Sequence, residues 1–222
     1  MGQIAQRREM CLYVQYGAGM CGPPGWVNFD VSPTLRLQRM PLFGSLFQRV
    51  SPQFPSTVRF GDIVGGLPLT AGSCDAVYCS HTLEHLSLAD FRTAIRNTFS
   101  YLRPGGRFRF VLPDLDQLAR DYLANSAPDA AITFMHESHL GQVSRPRRLI
   151  DLLRSSFGNS SHLWMWDYKA IKVELDSVGF LNTRRANIGD SGDTMFAAVE
   201  DDGRWHTCLG VECWRSSEQA TD

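Results

Sequence analysis

Hydrophobic and polar positions along the chain follow two periods, and the order of these periods predicts an α/β fold. Short apolar runs typical of strands occupy 11–16, 26–30, 57–60, 75–79 and 107–112, and a glycine, proline, serine or aspartate stands at the end of each. Two further strands are predicted near 181–186 and 207–214. Because helical segments separate several of the strands, we expect a mostly parallel sheet with crossover connections.

The clearest helical pattern follows the fourth strand. Apolar residues recur there at positions 88, 91, 95, 99 and 102, the spacing of one helical face. Ser87 and Asp90 are suited to cap its start, and Pro104-Gly105-Gly106 is expected to end it. Other helices are predicted at 116–123, 147–157 and 168–178, with at most short helical pieces near 42–50.

The composition is that of an ordinary globular domain. The chain has 222 residues, 43% of them hydrophobic and 20% charged, which predicts one domain with a sizeable core. A formal net charge of −1 argues against nucleic-acid binding driven by the overall charge of the protein. The sequence has no secretory signal and no apolar run long enough to span a bilayer, so a cytoplasmic location is expected.

The six cysteines are predicted to be reduced. Cys74/Cys79 and Cys208/Cys213 are each separated by four residues, a wider spacing than that of a zinc knuckle. Cys11, Cys79 and Cys213 fall in apolar, strand-like runs, where a thiol behaves as a small hydrophobic side chain. Buried thiols are therefore expected at these three positions.

Residues suited to ligand binding follow each of the first five strands. Parallel sheets bind ligands beyond the carboxyl ends of their strands, where the strand order reverses. The residues at these ends are Gly17-Ala18-Gly19, Asp30, Asp62-Ile63, Ser80-His81 and Pro113-Asp114. Any one of them could be a simple turn or helix cap. Together, on one edge of a sheet, they predict a site for a nucleoside-bearing ligand.

These strand ends carry a resemblance to the class I S-adenosylmethionine-dependent methyltransferases, over about residues 11–114. The matching motifs are Tyr16-Gly17-Ala18-Gly19, Gly25-Trp26-Val27-Asn28-Phe29-Asp30, Gly61-Asp62-Ile63, Leu83-Glu84-His85-Leu86 and Leu102-Arg103-Pro104-Gly105-Gly106. The second motif is similar to a bacterial subgroup often associated with surface-polysaccharide gene clusters. That likeness implies a glycan or small-molecule acceptor.

The resemblance implies a Rossmann-like, doubly wound and mostly parallel sheet of seven strands with an antiparallel last strand. It also implies S-adenosylmethionine as the methyl donor and S-adenosylhomocysteine as the product. The single domain, 1–222, would comprise a cofactor core at about 11–114, an acceptor-pocket insertion at about 115–167 and a C-terminal helix and strands at 168–215. The residues that the resemblance places at the cofactor are Gly17, Ala18 and Gly19 at the methionine part, Asp30 at the ribose, Asp62 and Ile63 at the adenine, and Ser80 and His81 near the methyl group.

One feature departs from the family pattern. Only residues 20–25 separate Gly19 from Trp26, so the helix that usually joins the first two strands is predicted to be absent or a single turn. Loop backbone must then replace the contacts of a helix N-terminus with the cofactor. The contacts of Met20 and Cys21 are accordingly left open.

The sequence does not single out a catalyst for methyl transfer. A base is needed only where an acceptor such as a hydroxyl must lose a proton, and histidine suits that role near neutral pH. His139 in the insertion and His162 before an aromatic patch are the candidate catalytic residues, with His136 as a further histidine of the insertion. The patch, Trp164, Trp166 and Tyr168, could be acceptor wall or core.

His81, Glu84 and His85 stand at i, i+3 and i+4, a spacing that gathers three possible metal ligands on one helical face. A further histidine such as His139 could complete such a site. Small-RNA 3′-end methyltransferases and ubiquinone-pathway O-methyltransferases are similar in this stretch, with a Glu where this chain has His81. Because of that difference, the expectation from sequence is a site without metal.

Three functions remain open at this stage. The favoured one is methylation of oxygen, or in second place nitrogen, on a small molecule or glycan. An anionic acceptor is compatible with the arginines at 145, 147, 148, 184 and 185. The alternatives are a catalytically inactive, cofactor-binding partner or regulatory subunit, and a methyltransferase acting on RNA or protein.

Overall fold

The computed structural model describes residues 11–40, 53–141, 143 and 161–217. Seven strands form one sheet in the order β3-β2-β1-β4-β5-β7-β6. Their bounds are β1 Tyr13–Tyr16, β2 Trp26–Asp30, β3 Val58–Phe60, β4 Cys74–Ser80, β5 Leu102–Pro113, β6 Phe180–Ala186 and β7 Cys208–Arg215. Strands β1 to β5 pair in parallel, whereas β7 is antiparallel to both β5 and β6. The predicted fold class and the antiparallel last strand are confirmed.

Six α-helices and two 3₁₀ helices connect the described strands. The α-helices are α1 Pro33–Gln38, α2 Leu88–Tyr101, α3 Leu115–Ala124, α4 Ala130–Glu137, α5 Tyr168–Val178 and α6 Asp202–Trp205, and the 3₁₀ helices are Leu83–His85 and Thr194–Ala198. Ser87 caps α2 by accepting the N–H of Asp90, as predicted, and Gly179 ends α5 in the left-handed region. The helices predicted at 147–157 and near 42–50 lie outside the described residues.

The largest boundary errors concern β1, α2 and β5, which begins at Leu102 rather than at residue 107. Strand β1 begins at Tyr13 rather than at residue 11, and Cys11 is exposed rather than buried. Helix α2 ends at Tyr101, ahead of the predicted stop, and Leu102 is already extended. Pro104 disfavours helical backbone at Arg103, the residue before it, so the helix could not have continued beyond Leu102. Residues 103–106 then form a bulge in β5, where the register with β4 shifts.

The first face of the sheet carries the main core. Phe108, Phe110 and Leu112 of β5 point to this face, as the alternating pattern predicted, and they are fully buried. Helices α2 and α5 cover them with their apolar stripes, in which Phe91 and Ile171 are also fully buried. Burial of side chains of this size contributes about 1.5–3 kcal/mol each. This packing fixes the positions of the strand ends at which the site lies.

The second face is covered chiefly by one connection, residues 187–207 between β6 and β7. Its Phe196 and Trp205 pack on Trp26 and Tyr78 of the sheet. The indole N–H of Trp26 donates to the Met195 carbonyl at 3.2 Å, and the Tyr13 hydroxyl donates to Asp193 at 2.9 Å. The connection therefore crosses the sheet from β7 as far as β2.

The connection between β1 and β2 contains no helix, which confirms the predicted departure. Two buried polar side chains on neighbouring strands hold it instead. Gln15 donates to the carbonyl of Cys21 at 2.7 Å and to Asn28 Oδ1 at 2.6 Å, and Asn28 donates to the carbonyl of Pro23 at 3.3 Å. These bonds give partners to loop carbonyls that no helix or strand satisfies. The loop is thereby fixed against the sheet.

Buried charges join β5, β6 and β7 on the second face. Arg109 is fully buried and donates to Glu200 at 2.5 Å, to Asp190 at 2.9 Å and to the carbonyl of Asn187. Arg184 of β6 pairs with Asp190 and with Glu212 of β7. The network ties the 187–207 connection to the strands beneath it.

The six cysteines are free. Burial raises the pKa of Cys79 and Cys213, so both are neutral thiols within the core, as predicted. Among the described helices, none is both long enough and apolar enough to span a bilayer.

Candidate functional site

The predicted site residues lie together at the carboxyl edge of the sheet. The loops after β1, β2, β4 and β5 open there, and the strand order reverses between β1 and β4. In folds of this kind the ligand binds beside that reversal. The fold thus brings the glycine turn, Asp30 and the Ser80-His81 pair to one edge, as the sequence predicted.

The two glycines of the turn after β1 have different roles. Gly17 has φ +64°, and a Cβ added there would meet the Thr82 side chain at 1.9 Å, so this glycine permits close packing against the loop after β4. Gly19 has φ +52°, and an added Cβ would meet nothing within 4 Å. Gly19 is therefore the position that leaves space for a ligand. Between them, Ala18 is buried and its N–H donates to the Phe29 carbonyl.

Asp30 orders this turn. Its Oδ2 accepts the N–H of Gly19 at 2.8 Å, and its Oδ1 accepts the N–H of Ser32 at 2.8 Å. An ionised carboxylate has about four lone-pair sites, so two bonds leave acceptor capacity for ligand hydroxyls. The acid is thus held in one orientation at the mouth of the sheet.

The loop after β3 presents Asp62 but hides Ile63. Asp62 Oδ1 accepts the N–H of Val64 at 2.8 Å, which shapes a tight turn. Ile63 is 5% exposed and packs in the main core, and the Asn97 amide donates to its carbonyl at 2.7 Å. Of this predicted pair, Asp62 is the one whose side chain is accessible.

The loop after β4 carries a strained histidine. His81 has φ +48°, a left-handed conformation that is uncommon for residues other than glycine. Its Nε2 lies 2.8 Å from the Arg204 carbonyl and its Nδ1 lies 3.3 Å from Glu84 Oε1. Burial alone would lower the pKa of His81, but Cys208, Glu84 and the Arg204 carbonyl together raise it to about 10. The imidazole is therefore protonated near neutral pH. Ser80, beside it, is buried with no hydrogen-bond partner on its hydroxyl.

A cavity of about 450 Å³ opens at the ends of β4 and β5. It is lined by His81, Pro113, Asp114, Gln117, Leu118, Asp121, Glu137, His139, His162, Thr207 and Cys208. Three of these residues, His81, His139 and Thr207, have positive φ, and only one other described non-glycine residue does, Asn182. Backbone strain of this kind costs about 1–3 kcal/mol per residue and gathers at functional sites. Among the described residues, non-glycine residues with positive φ are thus concentrated at this cavity.

Both candidate catalytic histidines, His139 and His162, line this cavity. Their rings are 4.9 Å apart, and the N–H of His162 donates to the His139 carbonyl. Burial lowers the pKa of His162, an effect that the nearby Glu84 carboxylate partly offsets. His162 is therefore neutral near pH 7 and can act through a ring lone pair. His136 lies apart, against apolar residues of α4.

Glu84 stands at the centre of a histidine cluster beneath the cavity. Its side chain is 1% exposed, and neither carboxylate oxygen has a hydrogen-bond partner. His85 Nε2 lies 4.0 Å from Oε1, and the His85 ring contacts the ring of His162 at 5.1 Å between centroids. One ligand atom from each of Glu84, His85 and His162 falls within 4.8 Å of the others. His81 and His85 both approach Glu84, as their spacing predicted, but His81 lies outside the helix, and His162 rather than His81 completes the group of possible metal ligands.

Several other predicted residues have structural partners instead. Trp166 is buried and stacks on Phe91 at 4.1 Å, which resolves this part of the aromatic patch as core. Arg184 is occupied by Asp190 and Glu212, and Arg185 donates to Asp114 at 2.9 Å. The arginines at 145, 147 and 148 lie outside the described residues.

Sequence reasoning missed the wall that comes from the far end of the chain. Thr207 and Cys208 line the cavity, and the carbonyl of Arg204 orients His81. A strand was predicted from Thr207 onward, but only the folding of 187–207 across the sheet brings its start to the site. The positive φ of Thr207 also has no signal in the sequence, because threonine is not a residue expected in that conformation.

Comparison with known proteins agrees with this architecture. Residues 44–110 match a family model described as a methyltransferase domain, a match that covers less than a third of the chain. A structure of a SAM-dependent methyltransferase from Archaeoglobus fulgidus is similar to the chain, with a TM-score of 0.50 and 14% identity over 92% of this chain and 86% of that one. It shows that the two chains share a fold.

Lower similarity links the chain to two further structures. One is a putative methyltransferase from Haloferax volcanii in complex with the Trm112 activator, with a TM-score of 0.46 and 12% identity over 93% of this chain and 83% of that one. The other is phosphoethanolamine N-methyltransferase 2 from Haemonchus contortus, with a TM-score of 0.49 and 10% identity over 93% of this chain and 49% of that one. No curated protein matches the chain in sequence.

Proposed function

We propose that the protein transfers a methyl group from S-adenosylmethionine to an oxygen atom of a small molecule or glycan and releases S-adenosylhomocysteine. One observation carries the proposal. The ligand-facing turn at Gly19, the acid Asp30 and a cavity of about 450 Å³ lie on the same edge of a sheet whose strand order reverses there. The family match and the shared fold support the same reading.

Different residues at this edge of the sheet would bind different parts of the cofactor. Gly17 and Gly19 would lie along its methionine part, Asp30 would accept hydrogen bonds from the ribose hydroxyls, and Asp62 would lie near the adenine. Ser80 and His81 would line the region of the methyl group. Ala18 and Ile63, both buried, would shape the turns that present these groups. The cofactor supplies an electrophilic methyl carbon on a sulfonium.

The transfer itself requires positioning more than covalent help. The acceptor oxygen forms a bond to the methyl carbon while the carbon–sulfur bond breaks and its electron pair stays on sulfur. Holding the two reactants in line contributes on the order of 7–11 kcal/mol in the best intramolecular models. The proton of the acceptor hydroxyl passes to a base, and His139 is well placed because it is exposed on the cavity wall. His162 is the second candidate for this step.

The described cavity wall favours an uncharged acceptor. It carries the carboxylates of Asp114, Asp121 and Glu137 against two positive charges, those of His81 and of Arg185, which pairs with Asp114, so the described wall keeps a net negative charge. An anionic glycan would meet repulsion there. A nucleic-acid acceptor would meet the same charge, so the open cavity and its acidic wall favour a small hydroxyl compound.

Calorimetric titration with S-adenosylmethionine and S-adenosylhomocysteine tests the cofactor site. Asp30→Asn should weaken binding of both by roughly 10- to 100-fold, because a hydrogen bond to a charged group contributes about 1.5–3 kcal/mol. Asp75→Asn is the matched control. Asp75 also holds a backbone N–H, that of Leu12 at 2.6 Å, but at the opposite end of β4, and it should leave binding unchanged.

Lack of binding of either compound to the wild-type chain would refute the proposal. If both bind, transfer of a labelled methyl group to a panel of hydroxyl, amine, glycan, RNA and protein acceptors identifies the product class. Binding without transfer to any acceptor would favour the cofactor-binding regulatory subunit instead.

A further inference from the structure

The carboxylate of Glu84 lies buried without the partners that a buried charge requires. It is 1% exposed, and both oxygens lack a hydrogen bond. Taking a carboxylate out of water costs several kcal/mol unless a counter-charge or hydrogen bonds compensate. His81, whose Nδ1 lies 3.3 Å from Oε1, supplies a counter-charge without a hydrogen bond, and Oε2 has no partner among the described residues, so the carboxylate is only partly compensated.

Two histidines face this carboxylate with free lone pairs. His85 Nδ1 lies 3.1 Å from the Ser161 carbonyl, which can only accept, so Nδ1 carries the hydrogen and Nε2 is left as the free acceptor. The Nδ1 atom of His162 is buried and has no partner. The ligand atoms of Glu84, His85 and His162 lie within 4.8 Å of one another, so small side-chain rotations would bring all three to about 2.0–2.2 Å from one ion.

We propose that Glu84, His85 and His162 bind one divalent transition-metal ion, with zinc as the best match. Imidazole nitrogen with one carboxylate oxygen is a donor set for zinc, manganese, cobalt or iron, whereas magnesium and calcium take mainly oxygen ligands. Three protein ligands leave at least one coordination position for water or substrate. From the sequence a site without metal was expected, and the residues considered as ligands beside Glu84 and His85 were His81 and His139 rather than His162.

The backbone around the three side chains is already tied together. The carbonyl of Glu84 accepts the N–H groups of Leu163 and Trp164 at 2.8 and 3.1 Å, and the N–H of His162 donates to His139. The bond from His85 Nδ1 to Ser161 fixes the orientation of that ring, as outer partners of metal-binding histidines commonly do. The site is thus built before any ion enters it, from segments about 75 residues apart in the chain.

The open position would face the cavity. His162 is both a proposed ligand and part of the cavity wall, and His139 stands beside it. If the proposed methyl transfer is correct, on which this one step rests, the ion would hold the acceptor oxygen and make its proton easier to remove. His139 would then take the proton, and His162 would be a ligand and not the base.

His81 offers the competing explanation for the Glu84 charge. Its Nδ1 lies 3.3 Å from Glu84 Oε1, close enough for an ion pair but outside hydrogen-bond geometry. A His81–Glu84 ion pair alone would leave His85 and His162 without a role and would predict no metal affinity. The two explanations therefore differ in a quantity that can be measured directly.

The test is zinc binding to the full chain after removal of metal with a chelator. Calorimetry should give one zinc ion per chain, and cobalt substitution should give the visible absorption of a nitrogen- and oxygen-ligated ion. Glu84→Gln and His162→Asn should each weaken zinc binding by at least about tenfold, since even outer partners of metal ligands contribute 10- to 100-fold. His206→Asn, an exposed histidine outside the proposed ligand set, is the matched control and should bind as the wild type does.

Circular dichroism and thermal unfolding of each variant show whether it is folded, and His162→Asn keeps the test valid if Glu84→Gln does not fold. No stoichiometric zinc in the wild type, or unchanged affinity in folded Glu84→Gln or His162→Asn, would overturn the proposal. Titration with S-adenosylmethionine on the same samples separates this result from the cofactor site. Binding of cofactor without metal defeats the metal site alone, and binding of metal without cofactor defeats the proposed function alone.

Discussion

At the scale of single residues, the backbone around the cavity is held in conformations that cost free energy. Thr207 is the plainest case, because it is β-branched and has φ +58°, a conformation that side chains of this kind rarely adopt. It directly precedes Cys208 at the start of β7. The strain persists because the 187–207 connection and β7 fix the chain on either side. Thr207 and His139 both line the cavity.

Replacing Thr207 by glycine should stabilise the protein. Relief of the left-handed strain is worth about 1–2 kcal/mol, partly offset by the greater freedom of glycine in the unfolded chain. The midpoint of thermal unfolding should therefore rise by about 2–4 °C for a chain of this size. Asn182→Gly is the control, since Asn tolerates φ +56° and should gain less. A fall in the unfolding midpoint of Thr207→Gly would show that the residue is not strained.

Gly19 should be required by the ligand rather than by the fold. Gly19→Ala puts a left-handed alanine into the turn at a cost of about 1 kcal/mol, with no clash because no atom lies within 4 Å of its Cβ. Gly72→Ala is closely matched, with φ +69° and no atom within 4 Å, but it precedes β4 at the other end of the strand. Both variants should lose similar stability in urea titrations. Only Gly19→Ala should weaken binding of S-adenosylhomocysteine, and equal affinities would argue that the ligand lies elsewhere.

At the scale of elements, the joint between β5, β6, β7 and the 187–207 connection depends on one buried cation. Arg109 is fully buried, and it neutralises Glu200 and Asp190 while its guanidinium lies 3.7 Å from Glu212. Its guanidinium also lies over the ring of Trp205, 4.7 Å from the centroid. Removing it leaves buried carboxylates without a counter-charge, which costs more than the loss of its packing.

Arg109→Met should lower the free energy of unfolding by about 3–5 kcal/mol, the usual cost of breaking a buried ion pair from one side. Arg120→Met is the control, because Arg120 pairs with Asp116 on an exposed helix face and such pairs contribute about 0.3–0.5 kcal/mol. Urea unfolding followed by tryptophan fluorescence measures both. Similar small losses in the two variants would show that the buried network is dispensable.

At the scale of the whole molecule, alternation and helical periodicity were enough to predict the sheet and its first face. The strand at 26–30 and the helix at 168–178 were predicted to the residue, because apolar positions there follow one period without interruption. The second face was not predictable in this way. Residues 187–207 form 3₁₀ turns and one short helix with no sustained period, and their place is set by contacts such as Trp26 to Met195.

The site shows the same division between local and distant information. The strand-end residues were predictable because strand and turn signals are local, and so was the proximity of His81, Glu84 and His85. The addition of His162 depends on how residues 161–164 return to the 3₁₀ helix, which no spacing encodes. Arg184 and Arg185 were considered for anion binding because arginine is suited to it. In the fold both instead pair with acidic side chains of the protein, which the sequence did not indicate.

During synthesis, the ribosome releases Trp26 and Tyr78 long before it reaches Phe196. At about 5–20 residues per second, the 169 residues between Trp26 and Met195 take roughly 8–34 s to emerge. Throughout that interval the aromatic face of the growing sheet has nothing to cover it. A chain that folds from its first strand onward would therefore expose a hydrophobic surface until nearly its last strand is made. We expect chaperones to bind the nascent chain at this surface.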